Sequence, residues 1–195
     1  MRKMGILLAG AIALAGCSSN PAPVAPAAVV DPNNPLFAPG YMAMAGSSDQ
    51  FEIQSGQLAL QMSQNPAVRS IAQMLITDHT NSTNMIVAAA QSAGITPPPP
   101  VILPQHQALL DQIRAAGTGP AFDMAFRDIQ IQAHQQALTL HQNYAANGDV
   151  PALRTVAGQI VPVVQNHLNM LQSLNVAPPP PPVAPPPTNR SGERG

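Results

Sequence analysis

Apolar residues recur along this chain at the three-to-four-residue spacing of helices. Leu153, Val156, Ile160, Val164, His167, Leu171 and Leu174 mark one face of a helix over residues 150–175. Phe122, Phe126, Ile129, Ala133, Ala137, Leu140 and Tyr144 do the same over 120–147. Upstream, Val68, Ile71, Leu75, Ile86 and Ala89 predict a helix over 66–93. Tyr41, Ala45, Leu58, Ala59 and Met62 predict a less regular one over 40–63. A short stripe of Leu109, Leu110 and Ile113 predicts a small helix over 105–116. No segment alternates in the manner of a strand. Asn65 caps the second helix and Pro66 takes its first position. Gly94 ends it. Gly148-Asp149 separates the last two, with Asp149 as the expected cap.

Four long amphipathic helices and one short one predict an all-α, four-helix bundle. Short connections join the first helix to the second and the third long helix to the fourth. The longer link, "ITPPPPVILP" plus the small helix, crosses between the pairs. That is the ferritin-like arrangement. With aromatic residues at only 3%, the core must be built from Leu, Ile, Val, Met and Ala.

The ends of the chain follow other rules. "MRK" and the apolar run "MGILLAGAIALAG" read as a secretory signal, the run being shorter than the roughly 20 residues a spanning helix needs. The run closes on "LAGC", which resembles a bacterial lipobox and contains the chain's single cysteine, Cys17. One cysteine also excludes a disulfide within the chain. The expected order is a signal peptide over 1–16, lipidated Cys17 with a Pro/Ala-rich tether over 17–38, the bundle over 39–176, and a Pro-rich tail over 177–195. Ser18, standing where an inner-membrane lipoprotein often has aspartate, favours the outer membrane, facing the periplasm. The expected partners are the membrane, through the acyl anchor, and an envelope protein or cell-wall component. Charged residues make up 9% of the chain and the net charge is -1, so no basic nucleic-acid footprint exists. No Gly-rich phosphate loop, CxxC, HExxH or GxSxG pattern occurs, and no catalytic constellation is legible.

Candidate chemistry rests on five histidines. His79, His134, His141 and His167 fall on the long helices and His106 on the short one. Pro162 lies five residues before His167, and a proline inside a helix bends it. Glu52, Asp78, His79, Asp123, His134 and His167 form the candidate inward-facing set. A di-iron centre would need Glu on two helices and Glu-x-x-His on the other two. Glu52 is the only glutamate between residues 40 and 176, and no Glu-x-x-His occurs. Two readings remain: a buried polar network with each imidazole satisfied by Asp78, Glu52 or backbone carbonyls, placed first, or a single Zn, Cu or Fe ion held by histidines and a carboxylate. His106 and His141 are expected to be solvated or locally bonded, and the nine methionines to fill the core.

"FEIQSGQLALQMSQNPAVRSIAQMLITDHTNS", "HQALLDQIR", "AFDMAFRDIQIQAHQQALTLHQNYAANGD" and "LRTVAGQIVPVVQNHLNML" together resemble a bacterial family of ferritin-like domains of unknown function, often labelled predicted outer membrane proteins. The resemblance covers residues 40–174. Its features fall on Glu52, Asp78-His79, Phe122-Asp123, His134, Pro162 and His167. It implies the bundle fold and an envelope location, and no particular reaction. Ala133 and Gln142 depart from the family, which commonly has acidic residues at both places.

Overall fold

The structure is a computed structural model describing residues 31 and 33–176. The expected signal peptide, Cys17, most of the tether and the Pro-rich tail lie outside the described residues. Five helices account for most of the remainder: α1 (Ala38–Met62), α2 (Pro66–Ser92), α3 (Pro104–Ala115), α4 (Pro120–Asn147) and α5 (Pro151–Ser173). Each begins with a proline in its first two positions, where the missing N–H costs nothing and the fixed φ suits a helix. The Asn65 side chain accepts from Ala67 N at 2.9 Å, and Gly94, at φ 73°, turns the chain out of α2. The expected cap at Asp149 is not formed. Val150 stands at the cap position of α5, and the Asp149 carboxylate accepts the Tyr144 hydroxyl at 2.8 Å instead.

The helices form a bundle of two hairpins, α1–α2 and α4–α5. Tyr41 near the start of α1 meets His141 near the end of α4, and Ser63 just past α1 meets Asp123 at the start of α4. These helices therefore run antiparallel. Ile86, late in α2, shares a cluster with Leu153 and Ile160, early in α5. Ile71, early in α2, shares another with Leu171, late in α5. That pair is antiparallel too. With α2 and α4 parallel, the link between them must return along the length of the bundle, as the ferritin-like reading requires. Helix α3, part of that link, packs on α1 and α4. Among the described residues, α3 thus covers one side of the bundle and does not cover the groove between α2 and α5.

The apolar interior comes in two halves. Phe51, Leu75, Leu110, Ile113, Phe122, Phe126 and Leu171 build one; Tyr41, Ala45, Ile86, Tyr144, Leu153, Ile160 and Val164 build the other. On α2, His79 falls between Leu75 of the first half and Ile86 of the second. On α5, His167 falls between Val164 and Leu171. The same sequence positions that break each apolar stripe are stacked at one level, making a polar layer across the bundle. α1 and α2 approach closely at Gly56, where an added Cβ would lie 2.9 Å from the Ala72 carbonyl oxygen.

The end of the expected tether is not free chain. α1 begins at Ala38, and the Leu36 carbonyl accepts from Asp149 N at 3.1 Å. Gly40 lies so close to the Asn34 carbonyl that a side chain there would overlap it. Residues 34–38 therefore belong to the bundle. Among the described residues, no helix is long and apolar enough to cross a membrane.

Candidate metal centre

Three imidazoles from three helices meet in the polar layer: His79 from α2, His134 from α4 and His167 from α5. All three are buried. Their ring centroids are 5.5–5.6 Å apart, and one ring nitrogen from each lies within 4.8 Å of the other two. Each ring is held from outside through one nitrogen. His79 Nδ1 donates to Asp49 Oδ1 at 2.8 Å. His167 Nε2 donates to Asp78 Oδ2 at 2.9 Å. His134 Nδ1 donates to the Gln130 carbonyl at 2.9 Å, with Glu52 Oε1 3.5 Å away. These acceptors assign the protons, because carboxylate and carbonyl oxygens only accept.

The second nitrogen of each ring is left with a lone pair. His79 Nε2, His134 Nε2 and His167 Nδ1 are buried and make no hydrogen bond to any described residue. An imidazole whose N–H is fixed by an outer oxygen and whose other nitrogen is left unpaired is held as metal-ligating histidines are. Electrostatics keeps the lone pairs available. Burial holds His79 down to about 3, helped by the neighbouring His167. Burial and the neighbouring His79 hold His134 well below the ordinary histidine range. Both are neutral at any physiological pH.

The carboxylates stand behind the rings. Asp49, on α1, also accepts from Thr83 Oγ1 at 2.9 Å, and burial raises it to about 7 against the opposing pull of that bond. Glu52 is fully buried, and neither of its oxygens makes a hydrogen bond to any described residue. Burial pushes it well above the usual carboxylate range, only partly offset by the Gln130 amide. A network of polar groups is therefore present, as the sequence predicts, but it satisfies only the outer nitrogen of each ring.

A family model described as "Domain of unknown function (DUF4142)" matches residues 22–174. The chain belongs to this family. No curated protein matches the DUF4142 chain. Solved structures do. "CopM in the Cu(II)-bound form" has a TM-score of 0.59 at 20% identity, covering 70% of this chain and 93% of that one. "CopM in the Ag-bound form (by co-crystallization)" has 0.56 at 19% identity, covering 70% and 93%. A DUF305 fragment from Deinococcus radiodurans has 0.55 at 18% identity, covering 67% and 91%. At these identities the likeness establishes a shared helical-bundle fold.

Of the residues singled out in the sequence, the DUF4142 bundle brings His79, His134 and His167 together. Asp78 and Glu52 stand behind the rings rather than among the free nitrogens. Asp123 lies elsewhere, accepting from Ser63 Oγ at 2.5 Å and tying the end of α1 to α4. His106 and His141 are neither solvated nor locally bonded. His106 Nδ1 lies 2.6 Å from Ser47 Oγ and His141 Nδ1 3.0 Å from Tyr41 OH, so both bridge to α1 and both are buried. Asp49 was missed. It lies three residues before Glu52 on α1, the spacing that puts two carboxylates on one helix face, and that spacing was the available signal.

Proposed function

We propose that this protein binds one divalent transition-metal ion, copper(II) before others, on His79, His134 and His167. The observation that carries the reading is the trio itself: three buried rings on three helices, each fixed from outside and each with a nitrogen that no described residue partners. Leaving a buried polar atom unpaired costs about 1–3 kcal/mol, and three rings gathered within ligand distance, each with one such atom, call for a common partner. Three imidazoles with an open position suit zinc or copper(II). Among the described residues no thiolate joins the trio, and an all-imidazole donor set suits a divalent ion. Divalent affinities peak at copper, and the shared fold with a protein solved in a Cu(II)-bound form supports that choice.

In such a site the three rings supply the bonds, and Asp49, Asp78 and the Gln130 carbonyl hold the ring tautomers. Glu52 places a carboxyl group beside His134 that can offset positive charge on loading. A bound copper ion would supply Lewis acidity and a one-electron couple. We further propose that the bundle is displayed at the cell envelope, lipidated at Cys17, on the strength of the "LAGC" box behind a basic and apolar leader.

The test is direct. Protein taken from its native compartment is assayed for metals by elemental analysis, and the metal-free form is titrated with copper(II) and zinc. One ion per chain is expected, with nitrogen hyperfine structure in the copper resonance spectrum. His134→Gln and His167→Gln are expected to abolish it. Binding of copper no tighter in wild type than in these two variants sinks the reading.

A further inference from the structure

The trio does not close on all sides. A cleft of about 230 Å³ opens between α2 and α5, and His79 and His167 form part of its lining while His134 does not. It occupies the groove that the crossover leaves uncovered, opposite α3. Met85, Ile160, Val163 and Val164 make its walls mostly apolar. Ser82 lines it too. Its hydroxyl is buried, with the residue only 6% exposed; it lies near enough to the Asp49 carboxylate to pull that group down, yet completes no hydrogen bond to any described residue.

We propose that this cleft receives a small exogenous ligand, neutral or singly negative, that completes the coordination of the ion on the trio and accepts a hydrogen bond from Ser82. The inference rests on the metal reading. Its own basis is separate: a cleft several times larger than one water needs, lined by two of the three rings and by a buried hydroxyl that completes no hydrogen bond. No lysine or arginine lines it and Asp78 does, so multiply charged anions such as phosphate are excluded by charge. Apolar walls exclude large polar molecules, because their groups would lose water without gaining partners. A compact ligand with one donor atom and an apolar or delocalised body fits what is left.

Azide is a suitable probe, since its charge-transfer band on copper(II) reports direct coordination. The full chain, loaded with one equivalent of copper(II), is titrated with azide and followed by absorbance. A saturable band is expected. Ser82→Ala is expected to weaken azide about tenfold through the lost hydrogen bond. Val163→Trp, at a position 40% exposed and so free to accept bulk, is expected to block the band while copper stoichiometry stays at one. Stoichiometric copper with no azide band overturns the proposal and leaves the metal reading standing. So does a band of equal affinity in both variants. Failure to bind copper at all removes the metal reading, and this proposal with it.

Discussion

Replacing Asp49 by asparagine separates a metal site from a merely structural cluster. Asp49 is buried, receives the His79 N–H at 2.8 Å, and receives the Thr83 hydroxyl at 2.9 Å. Asparagine has the same shape. Its carbonyl can still accept from His79, and its amide can donate to the Thr83 oxygen. Two effects on folding then oppose each other. A hydrogen bond to a charged acceptor, worth about 1.5–3 kcal/mol, becomes a neutral one worth about 0.5–1.5. Against that, the cost of burying the carboxylate disappears, a cost already visible in its rise to about 7. The net change in metal-free stability should stay within about 1 kcal/mol, or roughly 4 °C in melting temperature for a domain of this size. Metal affinity has no such compensation. An outer carboxylate orients its imidazole and raises its basicity, and losing one typically costs about 10–100-fold, equivalent to about 1.4–2.7 kcal/mol. The assay is a copper(II) titration against a competing chelator, alongside thermal melts of both metal-free proteins. Equal affinity within about twofold would refute the reasoning, since Asp49 would then be holding α1 and α2 together and nothing more.

Acidification should expose His141, which burial holds down to about 4 from an ordinary 6.5. The unfolded chain takes up a proton below pH 6.5 and the folded one does not. Its contribution is therefore intact above 6.5, falls by about 3 kcal/mol down to pH 4, and is flat below that; His141→Gln should remove this share, read as the difference between the two proteins' denaturant-measured stabilities across the window. Gly56→Ala should gain about 1 kcal/mol of helix propensity but press a methyl onto the Ala72 carbonyl and Ile76 across the α1–α2 contact, at about 1–3 kcal/mol. A modest net loss in chemical denaturation is expected, and a gain would mean the two helices can move apart freely. Cys17→Ser should shift the protein from the membrane fraction to the soluble envelope fraction; a wild type that takes up no labelled palmitate would argue against lipidation.

The helices were legible because their signals are local. Prolines at the starts, Gly94 and Gly148 between segments, and unbroken apolar spacing put each predicted boundary within about two residues of the observed one, the usual scatter of helix ends. The trio was half legible. His167 stands within the apolar stripe of its helix, and His79 and His134 stand beside theirs, which marks polar groups near the inner face. For His79 and His167, which nitrogen is tied down depends on contacts between residues 30 and 89 positions apart, and spacing along one helix carries no such information; only His134 is tied within its own helix, to the Gln130 carbonyl. Asp49 was hidden because α1 has the least regular apolar pattern of the long helices. Asp123 was misassigned for the converse reason: it lies on the inner face of α4, but at the end of the bundle, where Ser63 claims it. His106 and His141 were read as peripheral because their partners, Ser47 and Tyr41, are ordinary residues that advertise nothing in a sequence.

The inner face of α1 has a further consequence, for motion. This helix buries Ser47, Ser48, Asp49, Glu52 and Ser55 along its middle, where α5 buries Leu153, Ile160, Val164 and Leu171. Apolar burial is worth about 25 cal/mol per Å² and is indifferent to small slips, whereas hydrogen bonds are lost abruptly when groups part. Apart from Phe51, α1 is held in its middle by a few directional bonds, and it is the long helix whose amides should open first by sub-global fluctuation. Exchange with deuterated solvent should therefore run fastest along Gly46–Ser55 in metal-free protein and slow there on loading, although α1 contributes no ring to the trio. Occupancy of the centre would then be readable at a distance, as the protection of a helix that only stands behind it.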